Sequence, residues 1–172
     1  MKKFLLIIKL ALGIVIIANS SLFAQASATA SSSVSIVTPI SIAKTLDMNF
    51  GNIAASGTAG TVILAPAGTR AKTGGVTLPA MVGTVSAATF TISGQASYTY
   101  SITLPGSAIT LASGGNNMSA STFTSTPTPT GTLSAGGTQT LTVGATLSVG
   151  ANQVAGTYTT ATPFTVTVNY ND

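Results

Sequence analysis

Few residues of this chain could do acid–base or nucleophilic chemistry. Its 172 residues include no His, no Cys and only two Asp or Glu. A Ser–Lys dyad built on Lys44 or Lys72 is conceivable because serines are plentiful, but the spacing singles out no serine. Asp47 and Asp172 supply too few carboxylates for a calcium or magnesium site, which needs several oxygen ligands. We therefore predict that the protein is not an enzyme and has no catalytic residue, cofactor or metal site.

The one cationic cluster outside the N-terminal segment is Arg70 and Lys72, in the stretch "PAGTRAKTGG". These residues suit a surface loop that contacts a carbohydrate or a protein, with "SGGNNMSAS" as a second loop. The alternative is an ordinary solvated hairpin, because long cationic side chains are mostly exposed. Arg70 and Lys72 are the candidate ligand-contact residues of the sequence.

The elements that would carry such loops begin after the first 26 residues. Residues 1–26 have a basic start, an apolar stretch over residues 10–18, and small residues at Ala24 and Ala26, which is typical of a cleaved signal peptide. An uncleaved membrane anchor is the alternative. We expect residues 27–172 to form a single exported domain without a membrane span, at the cell surface, outside the cell or in the periplasm.

The charge of the mature chain is almost balanced. Lys44, Arg70 and Lys72 are offset by Asp47 and Asp172, so the chain lacks the cations that binding to a polyanion requires. We therefore expect no nucleic-acid partner. Because cysteine is absent, the domain must fold without disulfides, and a chain of this length can do so by burying an apolar core.

Strand patterns recur along the mature chain, and helix patterns do not. Thr, Val, Ile, Tyr and Phe are abundant, and Gly or Pro interrupts each run within about a dozen residues. The candidate strands lie in "SSVSIVTPISIAKT", "LDMNFGNI", "GTVILAP", "GGVTLPAM", "AATFTISG", "SYTYSITLP" and "TQTLTVGATLSVG". Alternation of apolar and polar residues favours antiparallel sheets with one face in the core. We predict an all-β fold, an antiparallel β-sandwich.

The glycines and prolines predict the connections between these strands. Gly94 predicts a hairpin between "AATFTIS" and "SYTYSITL", and the pair Gly136-Gly137 predicts another between "GTLSA" and "TQTLTV". The stretch "SGGNNMSASTFTSTPTPTGT" has weak periodicity and Thr-Pro repeats, which favour an extended, solvated loop.

The C-terminal stretch "GTYTTATPFTVTVNY" alternates over its whole length. One side carries Tyr158, Thr160, Thr162, Phe164, Val166, Val168 and Tyr170. Because side chains alternate faces along a strand, we predict one terminal strand with this bulky side buried. The aromatic residues in phase with the aliphatic side of their strands are predicted to pack in the core; they are Tyr98, Tyr100, Tyr158, Phe164 and Tyr170.

Several stretches resemble a bacterial secreted family known as domain of unknown function 4402. They are "DMNFGNI", "PAGTRAKTGG", "TLSVGANQ" and "AGTYT", and the resemblance extends from about Ser32 to Asn171. A more distant resemblance, to spore coat U and chaperone–usher pilin subunits, is carried by "NFG", by "AGTYT" and by the terminal strand Phe164–Tyr170. It implies an immunoglobulin-like, pilin-like sandwich that is structural or adhesive and not catalytic. Pilin-like subunits commonly carry a cysteine pair, which this chain lacks.

The pilin resemblance also implies a kind of partner, because the groove of such subunits is filled by an N-terminal strand of the next subunit. The segment "QASATASSSVSI" alternates, but most of its side chains are small and bury little apolar area. Val34 and Ile36 are assigned to the first strand of the domain itself. We therefore favour a self-contained sandwich over one completed by a neighbour's strand. The expected partners are further copies of the chain or other cell-envelope proteins.

Overall fold

A computed structural model describes residues 25–171. The chain divides after Ser35 into two units, and the second unit begins at Ile36. In the first unit, residues 25–35 have no regular secondary structure and are exposed. The signal-peptide prediction for residues 1–26 lies almost wholly outside the described residues and stays a prediction.

The described residues form thirteen strands and no helix. The strands are β1 (Ser41–Leu46), β2 (Asn49–Phe50), β3 (Gly60–Leu64), β4 (Arg70–Gly74), β5 (Val85–Ser86), β6 (Ala88–Ser93), β7 (Thr99–Thr103), β8 (Ile109–Ser113), β9 (Asn116–Thr126), β10 (Thr130–Thr132), β11 (Thr138–Val149), β12 (Thr159–Thr160) and β13 (Thr167–Tyr170). The predicted all-β class is confirmed, and the antiparallel pairing is consistent with a β-sandwich.

Three sheets make up the domain. The largest has the strand order β1-β6-β11-β9-β8-β12, and the β3–β4 hairpin joins it through β11. The second sheet has the order β10-β7-β13, and the third is the pair β2-β5. Most neighbours in space are distant in sequence, so the fold depends on long-range pairing.

The long strand β11 organises the largest sheet. Its first half, Thr138–Val143, pairs with β6, and its second half, Ala145–Val149, pairs with β3 along the same edge. Gly144 lies at the switch between the two partners. A Cβ at this position would come within 2.1 Å of the carbonyl oxygen of Leu64. Because glycine has no Cβ, the backbone of β3 can lie close to β11 at the position where pairing with β6 ends.

Inward-facing residues of the strands form two apolar clusters. The first buries Phe50, Val62, Leu64, Val76, Ala120, Ala145, Leu147 and Val149. The second buries Ala88, Ile92, Tyr100, Leu133, Leu141, Val143, Val166 and Val168. The three-stranded sheet supplies Tyr100 from β7 and Val168 from β13 to the second cluster. It therefore covers only the half of the large sheet where β11 begins.

Several connections differ from the predicted ones. Gly94 makes no hairpin, because β6 pairs with β1 and β11 whereas β7 pairs with β10 and β13. Strands β10 and β11, which flank Gly136-Gly137, also belong to different sheets. The predicted long loop contains the β8–β9 turn and all of β9. The turn residues predicted where the chain reverses, but sheet membership depends on partners far away in sequence.

The assignment of Val34 and Ile36 to the first strand is wrong. Both residues precede β1, and they are 89% and 92% exposed. Pro39 separates them from β1 and cannot donate a backbone hydrogen bond to a sheet. The domain's own pairing therefore begins at Ser41, and two aliphatic side chains are left in solvent.

The terminal segment alternates in burial as predicted, with Val166 and Val168 buried and their neighbours exposed. It is not one strand, however. Thr159–Thr160 pairs with β8 in the large sheet, and Thr167–Tyr170 pairs with β7 in the small one. Residues 161–166 between them form no strand.

The core prediction for the aromatic residues holds in part. Tyr100 is fully buried, while Phe164 and Tyr170 pack against the second cluster. Tyr98 was expected to point inward but is 44% exposed, and its ring meets that of Tyr170 edge-on at 5.6 Å. Ser97, in a left-handed conformation with φ of 64°, turns the chain just before it.

Tyr170 ties together one end of the domain. Its hydroxyl donates to the carbonyl oxygen of Thr38 at 2.7 Å and accepts from the backbone N–H of Gln95 at 2.6 Å. Strands β1 and β11 both begin opposite Ser93 at this end. We call it the entry end, because the chain enters the sandwich here. The opposite end, where β11 finishes at Val149, is the far end.

Candidate functional site: an apolar groove

A groove of about 1060 Å³ opens into the first apolar cluster. It lies mostly over the half of the large sheet that the three-stranded sheet leaves uncovered, and it reaches Ala88 and Phe90 of β6 at its inner end. Its lining comes from the stretch between residues 44 and 55, from Thr84, from β6, β8, β9 and β11, and from the stretch between residues 153 and 164. The groove therefore replaces the second layer of the sandwich in this half of the molecule.

The floor of the groove is the inner face of three adjacent strands. Leu111 of β8 lies opposite Met118 of β9, while Ile109 of β8 and Leu147 of β11 both lie opposite Ala120 of β9. Because inward-facing residues recur at every second position, these neighbours form a continuous apolar surface. Leu147 is buried beneath the groove, whereas Ile109, Leu111 and Met118 are only partly buried.

One wall of the groove is the stretch from Asp47 to Ala55. A backbone bridge between Ala54 and Thr77 holds it from behind, and so does the hydrogen bond from the Asn52 N–H to the carbonyl of Val82. Arg70 fixes the same wall from the side. Its Nη1 donates to the carbonyl oxygens of Phe50 at 2.6 Å and Asn52 at 3.0 Å.

The opposite wall is the stretch from Gln153 to Thr160. The amide nitrogen of Gln153 donates to the Tyr158 hydroxyl at 2.8 Å and to the carbonyl of Asn117 at 3.3 Å. The Tyr158 hydroxyl in turn donates to the carbonyl of Val154 at 2.7 Å. These bonds hold the wall against β9, yet Val154 itself remains 54% exposed on the groove.

Two aromatic rings, those of Phe90 and Phe164, line the groove at its inner end. Phe164 meets Phe90 edge-on at 6.4 Å, and both rings line the groove. Phe123, below them, lies 5.1 Å from Phe164 and packs against both core clusters. The groove therefore runs from these bulky rings to Val149 and Val154 at the far end.

The first wall offers free backbone groups to the groove. Asn52 and Ala54 donate their N–H groups away from it, toward residues 77–82. Because successive N–H groups of an extended chain point in opposite directions, those of Ile53 and Ala55 point toward the groove. Within residues 25–171 neither of these two N–H groups has a hydrogen-bond partner. The wall therefore has the character of an unpaired strand edge.

The sequence placed Arg70 and Lys72 in a ligand-contact loop, and the structure places both on strand β4. Arg70 holds the groove wall, and the Lys72 Nζ donates to the carbonyl of Val76 at 2.8 Å. Both cationic groups therefore already stabilise the chain's own backbone. Direct contact of Arg70 or Lys72 with a ligand stays a prediction.

The remaining ionisable pair lies at the groove mouth. Lys44 Nζ is 2.5 Å from Asp47 Oδ1, and both residues line the groove. Their side chains are 54% and 80% exposed, so solvent screens this ion pair and it contributes little to stability. The mouth carries no net charge from this pair, which suits an uncharged occupant.

The part of the chain that the structure describes holds no cluster of three or more His, Cys, Asp or Glu residues placed to bind a metal ion. No helix long and apolar enough to cross a membrane occurs between residues 25 and 171.

Sequence reasoning missed the groove, although two features pointed to it. Val34 and Ile36 were assigned to a strand that does not form, and Pro163, which cannot donate a backbone hydrogen bond, lies beside the groove in the gap between β12 and β13. Each marks a stretch that forms no strand within the domain.

Comparison with models of protein families gives a match. The model of the family described as "Domain of unknown function (DUF4402)" matches residues 40–170. The groove lies within the matched range, and residues 25–39 precede it. No curated protein and no solved structure matches the chain.

Proposed function

The chain belongs to this family, whose description names no activity, and we propose that it is an exported, non-catalytic structural or adhesive protein of the cell surface. In this proposal it works by taking up an extended peptide strand in its groove. The supporting observation is the groove itself, an apolar channel beside a strand edge with free N–H groups at Ile53 and Ala55.

The chemistry of the groove favours a peptide strand over a compact ligand. A strand can pair with the N–H groups of the wall while every second side chain enters the apolar floor, which is the mode of β-augmentation. Large apolar surfaces on soluble proteins usually mark an interaction site. Partly buried Ile109, Leu111 and Met118 supply such a surface here.

The cations of the described residues support a structural role. Lys44, Arg70 and Lys72 each donate to a carboxylate or carbonyl oxygen of the chain itself. They stabilise the fold as placed, and Arg70 does so directly at the groove wall.

The proposal is tested in cells that produce the full chain. Immunogold labelling and cell fractionation should find wild-type protein at the surface. Val154→Glu, which puts a carboxylate on the groove, should sharply lower the amount retained there. Met81→Glu is the matched control, because Met81 is 82% exposed and lies outside the groove lining. Wild-type protein confined to the cytoplasm, or equal retention of both variants, would contradict the proposal.

A further inference from the structure

We infer that the occupant of the groove is residues 28–36 of a second copy of this chain, so that copies join head to tail. The inference rests on the proposed function, since it names the strand that the groove takes up. It draws on three features: the exposed N-terminal segment, the length of the groove, and the opposite ends of the domain at which the domain begins and the groove opens.

The segment has the properties of a strand without a sheet. Residues 28–36 form no regular secondary structure, although Ala28, Ala30, Ser32, Val34 and Ile36 all fall on one side of an extended chain. Val34 and Ile36, at 89% and 92% exposure, are the most exposed large apolar residues of the described chain. The segment also carries no charge, which matches the uncharged groove.

The length of the segment matches the length of the groove. The lining of the groove reaches from Phe90 of β6, which lies opposite Leu141 of β11, to Val149 at the end of β11. Leu141 to Val149 spans eight residue steps, and so does Ala28 to Ile36. At about 3.3 Å per step, both cover about 26 Å.

The domain begins at one of its ends, and its groove opens at the other. The chain enters the sandwich at the entry end, where Thr38 is bonded to Tyr170 and Gln95. The groove reaches the far end, where Val149 and Val154 line it. A segment that leaves one copy at the entry end can therefore lie in the groove of the next copy from its far end.

This direction fixes which residues meet. Ile36, nearest to its own domain, would lie beside Val154 at the far end of the acceptor. Ala28 would reach the inner end, beside the rings of Phe90 and Phe164. The small side chains of the segment would therefore meet the bulky rings, and its aliphatic side chains would lie toward the far end.

Such a contact joins two different surfaces of identical chains. Each copy would offer its segment to one neighbour and its groove to another, and an interface of this kind propagates as an open polymer unless the rotation closes a ring. The N–H groups of Ile53 and Ala55 would gain carbonyl partners from the incoming strand.

Cysteine cross-linking tests the inference, because the chain has no cysteine of its own. The full chain carrying Ile36→Cys and Val154→Cys is exported, recovered and oxidised. We expect a ladder of covalent oligomers on non-reducing gels, since two cysteines bridge only when their Cα atoms lie within about 7 Å. The matched control carries Ile36→Cys with Ile63→Cys, on a strand residue that is 42% exposed and outside the groove lining. It should give no ladder.

Other outcomes overturn the inference. A cross-linked monomer would show that the segment occupies the groove of its own chain, and no cross-link would show that the groove has another occupant. Circular dichroism checks that each variant is folded. The pair Ile36→Cys with Ala155→Cys replaces a small exposed residue of the groove and serves if Val154→Cys does not fold. Surface retention that depends on Val154 would still stand if cross-linking failed, so the two proposals fail separately.

Discussion

At the residue scale, Gly144 is the position where one added methyl group has the clearest steric consequence. We predict that Gly144→Ala lowers the free energy of unfolding by about 2 kcal/mol, because the new Cβ would meet the Leu64 carbonyl oxygen at 2.1 Å. Thermal melting checks this against Gly106→Ala, where no atom lies within 4 Å of the new Cβ. Equal melting of the two variants would contradict the role given to Gly144.

Arg70 is the residue that holds the groove wall. Arg70→Ala removes both hydrogen bonds to the Phe50 and Asn52 carbonyls, and we predict a loss of about 2 kcal/mol in urea unfolding. Lys44→Ala breaks only the exposed ion pair to Asp47 and should cost less than about 0.5 kcal/mol. If Arg70→Ala unfolds at the same urea concentration as Lys44→Ala, the two hydrogen bonds of Arg70 to the groove wall do not stabilise the fold.

Tyr100 makes stability depend on pH. Burial raises the pKa of its hydroxyl, which donates to Gln139 Oε1 at 2.6 Å. In the unfolded chain the pKa of tyrosine is about 10, so as pH rises the unfolded state loses this proton first. The stabilising contribution is complete below pH of about 10 and is lost as pH rises toward the higher folded pKa. Melting scans should show a smaller alkaline loss in Tyr100→Phe; an equal loss would contradict this.

At the scale of elements, hydrogen exchange measures whether the backbone amides of the groove wall are hydrogen-bonded. The amides of Ile53 and Ala55 should exchange fast in a monomeric variant, Val34→Asp with Ile36→Asp, because they have no partner there. They should be protected in the assembled wild type, where a donated strand supplies carbonyls. The Val143 amide, inside β11, should be protected in both. Fast exchange at Ile53 in the assembled protein would mean that no strand pairs with this wall.

The sequence predicted the elements better than their partners. Alternation along the terminal segment correctly predicted that Val166 and Val168 are buried, because that pattern is local. The turns at Gly94 and Gly136 were also visible, yet their flanking strands belong to different sheets. Pairing across the sheet is set by long-range packing, which no local pattern records.

The groove was beyond the reach of sequence patterns for the same reason. Its walls are the stretch near Ile53 and the stretch near Val154, which come together only through β11 and β9. Arg70 was recognised as unusual, but its partners are backbone carbonyls. Every residue has such a carbonyl, so residue types could not show which ones Arg70 contacts. Val34 was a visible signal, since an alternating apolar segment needs a strand to pair with. From the sequence, that pairing was assigned to the chain's own domain, where it does not form.

At the scale of the whole molecule, the structure describes a sandwich that is covered over one half and open over the other. The second apolar cluster lies beneath the three-stranded sheet, while the first is reached through the groove. Sequence reasoning favoured a self-contained sandwich because the N-terminal side chains seemed too small to anchor a partner. With Val34 and Ile36 free of the domain, the same segment has two aliphatic anchors.

The most direct test is the solution mass of the purified protein, measured by size-exclusion chromatography with light scattering. We predict a series of oligomers for the wild type and for Met81→Asp, whose side chain is exposed but outside the groove. We predict a monomer for the double variant Val34→Asp with Ile36→Asp, since carboxylates in the apolar groove are unfavourable. Monomers in all three proteins, or oligomers in all three, would contradict assembly through the N-terminal strand.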